Sequence, residues 1–160
     1  MVLFAPSHLV TSACTLFLVF KFCLTILIQG GKRFRSGTRP PEDAKLSLAK
    51  GSPQHFGLSK AAEPSDRAMK AEADDVRWQR IVLNDLENIP LGLIVAWSSL
   101  LSPFSETVHS AAILLFTVGR TLHTYSYARM LQPARAIVWV LAILSTFVMA
   151  INGFLGLLFA

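Results

Sequence analysis

The sequence predicts an all-α integral membrane protein with four membrane spans in one domain of residues 1–160. Hydrophobic residues make up 52% of the chain and charged residues 16%, and the mean hydropathy is +0.49, far from the balance of soluble domains. The charges are also segregated. Residues 30–79 hold ten of the fifteen Lys and Arg and seven of the ten Asp and Glu, whereas residues 1–20 and 136–160 hold none. Apolar spans separated by one long polar loop are therefore expected.

The net charge of +5 belongs mainly to that loop. No basic stripe alternates with aromatic residues, as a nucleic-acid surface would require, so we expect no nucleic-acid partner. The two cysteines, Cys14 and Cys23, are spaced neither as a redox pair nor as a metal site, and no metal is expected.

The first predicted span covers residues 8–29, which are apolar apart from Lys21 and a few hydroxyl groups. A helix of this length crosses roughly 30 Å of hydrocarbon. A basic cluster follows directly, at Lys32, Arg33, Arg35 and Arg39. The positive-inside rule places this cluster in the cytoplasm. We therefore predict a cytoplasmic loop at residues 30–77, partly disordered around residues 51–64, with a helix beginning near residue 65 or residue 75.

Three further spans are predicted at residues 78–101, 107–127 and 135–158. Pro90 lies inside the second span, which a membrane helix tolerates at the cost of a kink. Four spans put both termini on one side of the membrane and both basic loops on the other. That arrangement agrees with the distribution of charge along the chain.

Polar side chains line one face of the second span. Arg80, Asn84 and Glu87 follow one another at i, i+4 and i+7, so they fall within about 40° on a helix. Asp85 and Asn88 are turned roughly a quarter of a turn away from that face.

The third span repeats this spacing at Arg120, Thr124 and Tyr127, with His123 beside them, and Arg135 opens the fourth span. Three helices thus bring cations, acids and hydrogen-bonding groups to one membrane level.

Two interpretations of these groups stay open. They can be contacts between helices, such as Arg80 with Glu87 and Arg120 with Asp85, because hydrocarbon offers no other partner. Alternatively they form a polar ligand pocket. Cations outnumber acids on the pocket side, which favours an anionic ligand with carboxylates for the planar guanidinium groups.

The segments RIVLNDLENIP, VGRTLHTYSY and QPARA, together with the basic RFRSGTRPPEDA, resemble the MAPEG family, the membrane-associated proteins in eicosanoid and glutathione metabolism. Pro40 stands where the family has an Asn in its Asn-Pro-Glu-Asp segment. The resemblance implies a homotrimer of four-helix bundles, with glutathione bound between neighbouring subunits at the cytoplasmic end. The loop after the first span is longer than usual in the family, and the connection from Tyr127 to Pro133 is about one residue short.

Site residues follow from the same resemblance. The glutathione-binding set is Lys32, Arg80, Asn84, Glu87, His123, Tyr127 and Arg135. Lys32 stands where a neighbouring subunit would offer an arginine. The catalytic set is Arg135, which would stabilise the glutathione thiolate, and Asp43, the acid/base partner proposed in the prostaglandin-synthase branch.

Leu83 and Ala136 resemble the microsomal glutathione transferase pattern, whereas prostaglandin E synthase has an arginine and a serine there. The resemblance therefore implies an enzyme that conjugates glutathione to hydrophobic electrophiles and reduces lipid hydroperoxides. The alternatives are a glutathione-dependent prostaglandin E synthase and a non-catalytic lipid-binding scaffold. The expected location is the endoplasmic reticulum, with the mitochondrial outer membrane as the alternative, and the active site faces the cytoplasm among membrane lipids.

Overall fold

The computed structural model describes residues 6–58 and 65–159, and long helices dominate these ranges. The long helices are α1 (Pro6–Ser36), α2 (Asp66–Ser99), α3 (Glu106–Ala128) and α4 (Ala134–Leu158). Two short 3₁₀ helices, Pro41–Lys45 and Ser47–Ala49, lie between α1 and α2. The predicted all-α class is confirmed. Part of the segment expected to be disordered, residues 59–64, lies outside the described residues.

The helices α3 and α4 agree closely with the predicted third and fourth spans, whereas α1 and α2 extend beyond theirs. Helix α2 begins near the first of the two predicted starts, because the Ser65 hydroxyl accepts a hydrogen bond from the Ala68 amide at 3.3 Å and Asp66 stands in the first turn. It then continues through Pro90. The segment between the α-helices is consequently shorter than the predicted loop.

The chain divides into two compact units. The first consists of Met1–Phe22 and Asn84–Ala160, and the second of Cys23–Leu83. Each unit is described by itself.

In the first unit all four helices contribute to one apolar core. Its buried members are Cys14, Leu18, Ile89, Ala96, Ala112, Ile113, Phe116, Ala142 and Met149. Charged and polar side chains are buried beside this core, while large apolar side chains are exposed around it, among them Leu16, Phe20, Ile94, Leu115, Phe147 and Ile151. Apolar groups outside and polar groups inside are the arrangement of a protein surrounded by lipid.

Of the described helices, α1 and α4 are long and apolar enough to cross a membrane by length and composition alone. Helices α2 and α3 are also long, but they carry the polar groups of the predicted site, including Asp85 and Arg120. Their amphipathic composition is expected where spans must bury polar groups against one another.

Small residues allow close helix packing in the first unit. A Cβ atom added to Gly156 would lie 1.8 Å from the carbonyl oxygen of Ser102, and one added to Gly153 would lie 2.5 Å from Ser99 Cβ. Helix α4 thus contacts the end of α2 and the turn after it almost backbone to backbone. Asn152 secures the same turn, because its side chain accepts from the Ser105 amide at 3.1 Å and donates to the Ser105 carbonyl at 3.2 Å.

A buried histidine joins three helices of the first unit. His109 on α3 is fully buried, with Nε2 3.0 Å from Thr11 Oγ1 on α1 and Nδ1 3.1 Å from Ser99 Oγ on α2. Both ring nitrogens are therefore satisfied by hydroxyl groups in the interior.

In the second unit the segment after α1 folds back on the end of that helix. Gln54 donates to the carbonyl of Phe34 at 3.1 Å, and the His55 amide donates to the carbonyl of Gly37 at 2.8 Å. The Asp75 carboxylate on α2 accepts from Ser36 at 2.9 Å. These bonds fix the basic end of α1 against the start of α2 within this unit.

Candidate functional site

The first group of site residues surrounds the buried carboxylate of Asp85. The Arg120 Nη2 atom donates to Asp85 Oδ1 at 2.6 Å and to Asn84 Oδ1 at 2.8 Å. Lys21 Nζ donates to Asp85 Oδ2 and, at 2.5 Å, to Thr124 Oγ1. Asp85 and Arg120 are both 0% exposed. Helices α1, α2 and α3 are therefore joined by one ion cluster inside the first unit.

The expected pair of Arg120 with Asp85 is confirmed, and Asn84, placed on the ligand face by its spacing, is engaged by the same guanidinium group. Arg80 and Glu87 are both exposed, and neither makes an ion pair or hydrogen bond that the structure describes, so their pairing stays a prediction.

Some buried nitrogen atoms in and beside this cluster have no hydrogen-bond partner among the described residues. Two of its charges are positive and one is negative, so it carries a net charge of about +1 when all three groups are ionised. Arg120 Nε and Nη1 are buried and have no partner in the part of the chain that the structure describes. The same holds for Nδ1 of the neighbouring His123. Buried polar nitrogens of this kind normally have a partner, such as water or a ligand.

The second group joins the end of α3 to the start of α4. The ring of Tyr127 meets the ring of His123 edge to face, with centroids 5.7 Å apart. The Arg135 guanidinium carbon lies 4.3 Å from the centroid of the same Tyr127 ring, a cation–π contact. With its amide oxygen turned toward Arg135, Gln132 accepts from Nη2 at 2.5 Å and from Nε at 3.1 Å.

Arg135 is therefore oriented on two sides, by a ring and by an amide, although the α3–α4 connection is short. His123 is almost completely buried, whereas Tyr127 and Arg135 are partly exposed. The structure thus brings three predicted site residues into one continuous set of contacts that reaches the surface of the first unit.

Glu87 on α2 is exposed, and its carboxylate has no side-chain partner among the described residues. Its exposed neighbours on the helix are apolar, including Leu86, Leu91 and Ile94. A carboxylate on such a surface is costly in a membrane unless it meets a partner from another molecule.

The second unit holds the remaining predicted residues. Lys32 donates to Asp74 at 2.6 Å, and Asp43 accepts from Arg39 Nε at 2.6 Å. Both are thus engaged within their own chain. Arg80 is exposed and makes no ion pair or hydrogen bond among the residues that are described.

The sequence analysis assigns no site role to two residues that the structure places in these contacts: Lys21 contacts Asp85, and Gln132, the first residue of the QPARA segment, contacts Arg135. The signal for Lys21 was present, because a lysine deep in an apolar run is costly and calls for a counter-charge. Gln132 gave no signal, since its role depends on the conformation of the turn before α4.

The arrangement suits an anionic ligand with several polar ends. Arg135 presents an oriented guanidinium group at the edge of the first unit, Glu87 presents an exposed carboxylate, and buried nitrogens of Arg120 and His123 have no partner among the described residues.

Comparison with known proteins identifies the family of the chain. No curated protein matches the sequence. The model of the MAPEG family matches residues 9–155, a range that contains most or all of each of the four helices and every predicted site residue. The chain therefore belongs to the MAPEG family, whose members are helical membrane proteins that use glutathione.

Proposed function

We propose that this chain is a membrane-bound glutathione transferase that conjugates the glutathione thiolate to hydrophobic electrophiles and reduces lipid hydroperoxides. The observation that carries the proposal is the placement of Arg135, held on the Tyr127 ring at 4.3 Å and oriented by Gln132. Leu83 and Ala136, which resemble the transferase branch, support it over the prostaglandin-synthase branch.

The chemistry needs a thiolate near neutral pH. A fixed guanidinium beside the glutathione sulfur stabilises the thiolate over the thiol, and the thiolate is the nucleophile. In conjugation the thiol proton goes to solvent, the sulfur forms a bond to the electrophilic carbon, and the leaving group departs with its electron pair. In peroxide reduction two glutathione molecules become the disulfide while the hydroperoxide becomes an alcohol and water.

Charge matching supports the assignment of the remaining glutathione contacts. Glu87 would accept from the ammonium group of the tripeptide, while Arg80, Asn84 and His123 would contact its carboxylates and amides. The exposure of Glu87 on an apolar helix face supports a site completed by a neighbouring subunit, with Lys32 as that subunit's contribution.

The working form in this proposal is a homotrimer in the endoplasmic reticulum membrane, with the mitochondrial outer membrane as the alternative. The basic residues in the last turn of α1, Arg33 and Arg35, support a cytoplasmic position for the site. A hydrophobic electrophile would then reach the sulfur from the bilayer while glutathione enters from water.

The test is Arg135→Ala in purified protein, assayed for conjugation of glutathione to a chlorinated nitrobenzene. We expect kcat/KM to fall about 100-fold, as for other losses of a charge-stabilising donor. The matched control is Arg129→Ala, which removes an exposed arginine that lies 5.8 Å from the Tyr125 ring and outside the predicted site. An unchanged rate in the Arg135 variant, or equal losses in both variants, would contradict the mechanism.

Isomerisation of prostaglandin H2 is the second candidate, because Asp43 is held in one orientation by Arg39 and could serve as the acid/base group of that branch. Incubation with the endoperoxide and detection of prostaglandin E2 distinguishes the two enzymes. A calorimetric titration with glutathione tests the non-catalytic scaffold, which is expected to bind little of it.

A further inference from the structure

A basic cleft lies in the second unit. Its volume is about 870 Å³, and three elements form its walls: the end of α1, the second 3₁₀ helix with the residues that follow it, and the start of α2. None of the predicted glutathione-binding or catalytic residues lines it. Its described lining therefore shares no residue with the predicted active site.

The described lining of the cleft carries positive charge alone. Arg35, Lys50 and Arg67 reach it from the three different elements, and no acidic residue is among the described lining residues. All three cations are exposed, and none makes an ion pair among the described residues. Ser52 and Ser65, which carry hydroxyl groups, are also among the described lining residues. Cations converging with hydroxyl donors favour a multiply charged oxygen anion, the chemistry of a phosphate group.

The position of the cleft adds an apolar component. Gly31 lies in its wall directly after the apolar part of α1, and Arg35 follows about one turn later, roughly 6 Å along the helix. Leu48 also lines the cleft and is 67% exposed. Basic groups just beyond the apolar part of a membrane helix lie at the level of lipid headgroups. An exposed leucine beside them favours a ligand with both a phosphate and a hydrocarbon part.

We propose that this cleft binds the phosphate headgroup of an anionic phospholipid, held by Arg35, Lys50 and Arg67, with Leu48 against the glycerol and upper acyl region. None of these residues belongs to the predicted glutathione-binding or catalytic set, so the proposal does not depend on the proposed enzyme activity. A soluble phosphate would make the same contacts with the three cations but would not contact Leu48. The role of Leu48 therefore distinguishes a phospholipid from a soluble phosphate.

The experiment uses the full chain purified in a neutral detergent. It is titrated with phosphatidylglycerol, phosphatidylcholine or inorganic phosphate, and bound species are quantified by native mass spectrometry. We expect the wild type to bind phosphatidylglycerol at least about tenfold more tightly than phosphatidylcholine. Because each basic group near a membrane surface changes affinity for anionic lipid about fivefold, Arg35→Gln combined with Arg67→Gln should weaken phosphatidylglycerol binding roughly 25-fold.

The charge-matched control combines Lys45→Gln with Lys70→Gln, which removes two exposed cations of the same unit from outside the cleft. It should keep phosphatidylglycerol affinity within about threefold of the wild type. Equal losses in both double variants, or no loss in the cleft variant, would overturn the site. Thermal unfolding of each variant checks that the fold is retained.

Leu48→Ser tests the source of the phosphate. A loss of phosphatidylglycerol affinity in this variant supports a lipid ligand. If inorganic phosphate displaces the lipid at comparable concentration and Leu48→Ser binds normally, the cleft takes a soluble phosphate and the lipid assignment is overturned.

Discussion

Asp85→Asn removes the carboxylate that lies between Lys21 and Arg120 in the first unit. Lys21 and Arg120 then stay buried without that counter-charge. The amide oxygen of the new Asn can still accept a hydrogen bond from one of them, but its NH₂ group faces the other cation and cannot accept. Breaking a buried ion pair by removing one partner costs about 3–5 kcal/mol. Because Asn retains the shape and one acceptor, we expect the free energy of unfolding to fall by about 3 kcal/mol.

The assay is reversible unfolding in mixed micelles by increasing dodecyl sulfate, followed by tryptophan fluorescence. Lys21→Gln combined with Asp85→Asn restores the original charge balance, so the double variant should be more stable than the sum of the two single losses predicts. Glu87→Gln on the same helix is the control. It should change stability by less than about 0.5 kcal/mol, because the side chain is exposed and unpaired among the described residues.

The same pair of variants separates packing from binding. Glu87→Gln should weaken glutathione binding in the assembled protein, whereas Asp85→Asn should mainly reduce stability. Additive losses for Lys21→Gln and Asp85→Asn, or matching effects at Asp85 and Glu87, would refute this division of roles.

Three further predictions concern packing and the position of Arg135. Gly156→Ala should lower the free energy of unfolding by about 3 kcal/mol, seen as a lower thermal midpoint in detergent, because its Cβ would lie 1.8 Å from a backbone oxygen. The control is Gly30→Ala, which has open space around it and should leave the midpoint unchanged. Asn152→Ala removes two bonds to the α2–α3 turn and should cost about 1–3 kcal/mol, with faster amide exchange in that turn. Tyr127→Leu should reduce kcat about tenfold, because it removes the ring that holds Arg135. Tyr127→Phe keeps the ring face and should retain most activity. Equal losses in the two variants would assign the effect to the hydroxyl group instead of the ring.

Much of the fold was accessible from the sequence, because hydropathy and helix signals are local. The bounds of α3 and α4 follow from apolar runs and their flanking turns, and α2 begins where Ser65 and Asp66 form a helix start. The pairing of Arg120 with Asp85 was also predictable, since hydrocarbon leaves two buried opposite charges few other partners.

The partners of the site residues were harder to predict, because they depend on distances between helices that residue spacing along one helix does not determine. Helical spacing put Asn84 on the face of Arg80 and Glu87, yet Asn84 is engaged by Arg120 from another helix. Lys32, a proposed ligand contact, also donates to Asp74, which lies forty-two positions along the chain. In each case the additional partner comes from a distant part of the sequence.

The ion cluster of the first unit also bears on how the chain enters the membrane. Helices α1 and α4 are apolar enough to insert alone, whereas α2 and α3 bring Asp85 and Arg120, and a lone charge at a helix centre adds roughly 2.5–3.5 kcal/mol to insertion. Lys21 in α1 is synthesised before Asp85, the carboxylate that forms an ion pair with it. Membrane integration of α2 and α3 is therefore a joint event, in which each polar span becomes stable in lipid only as its partner arrives.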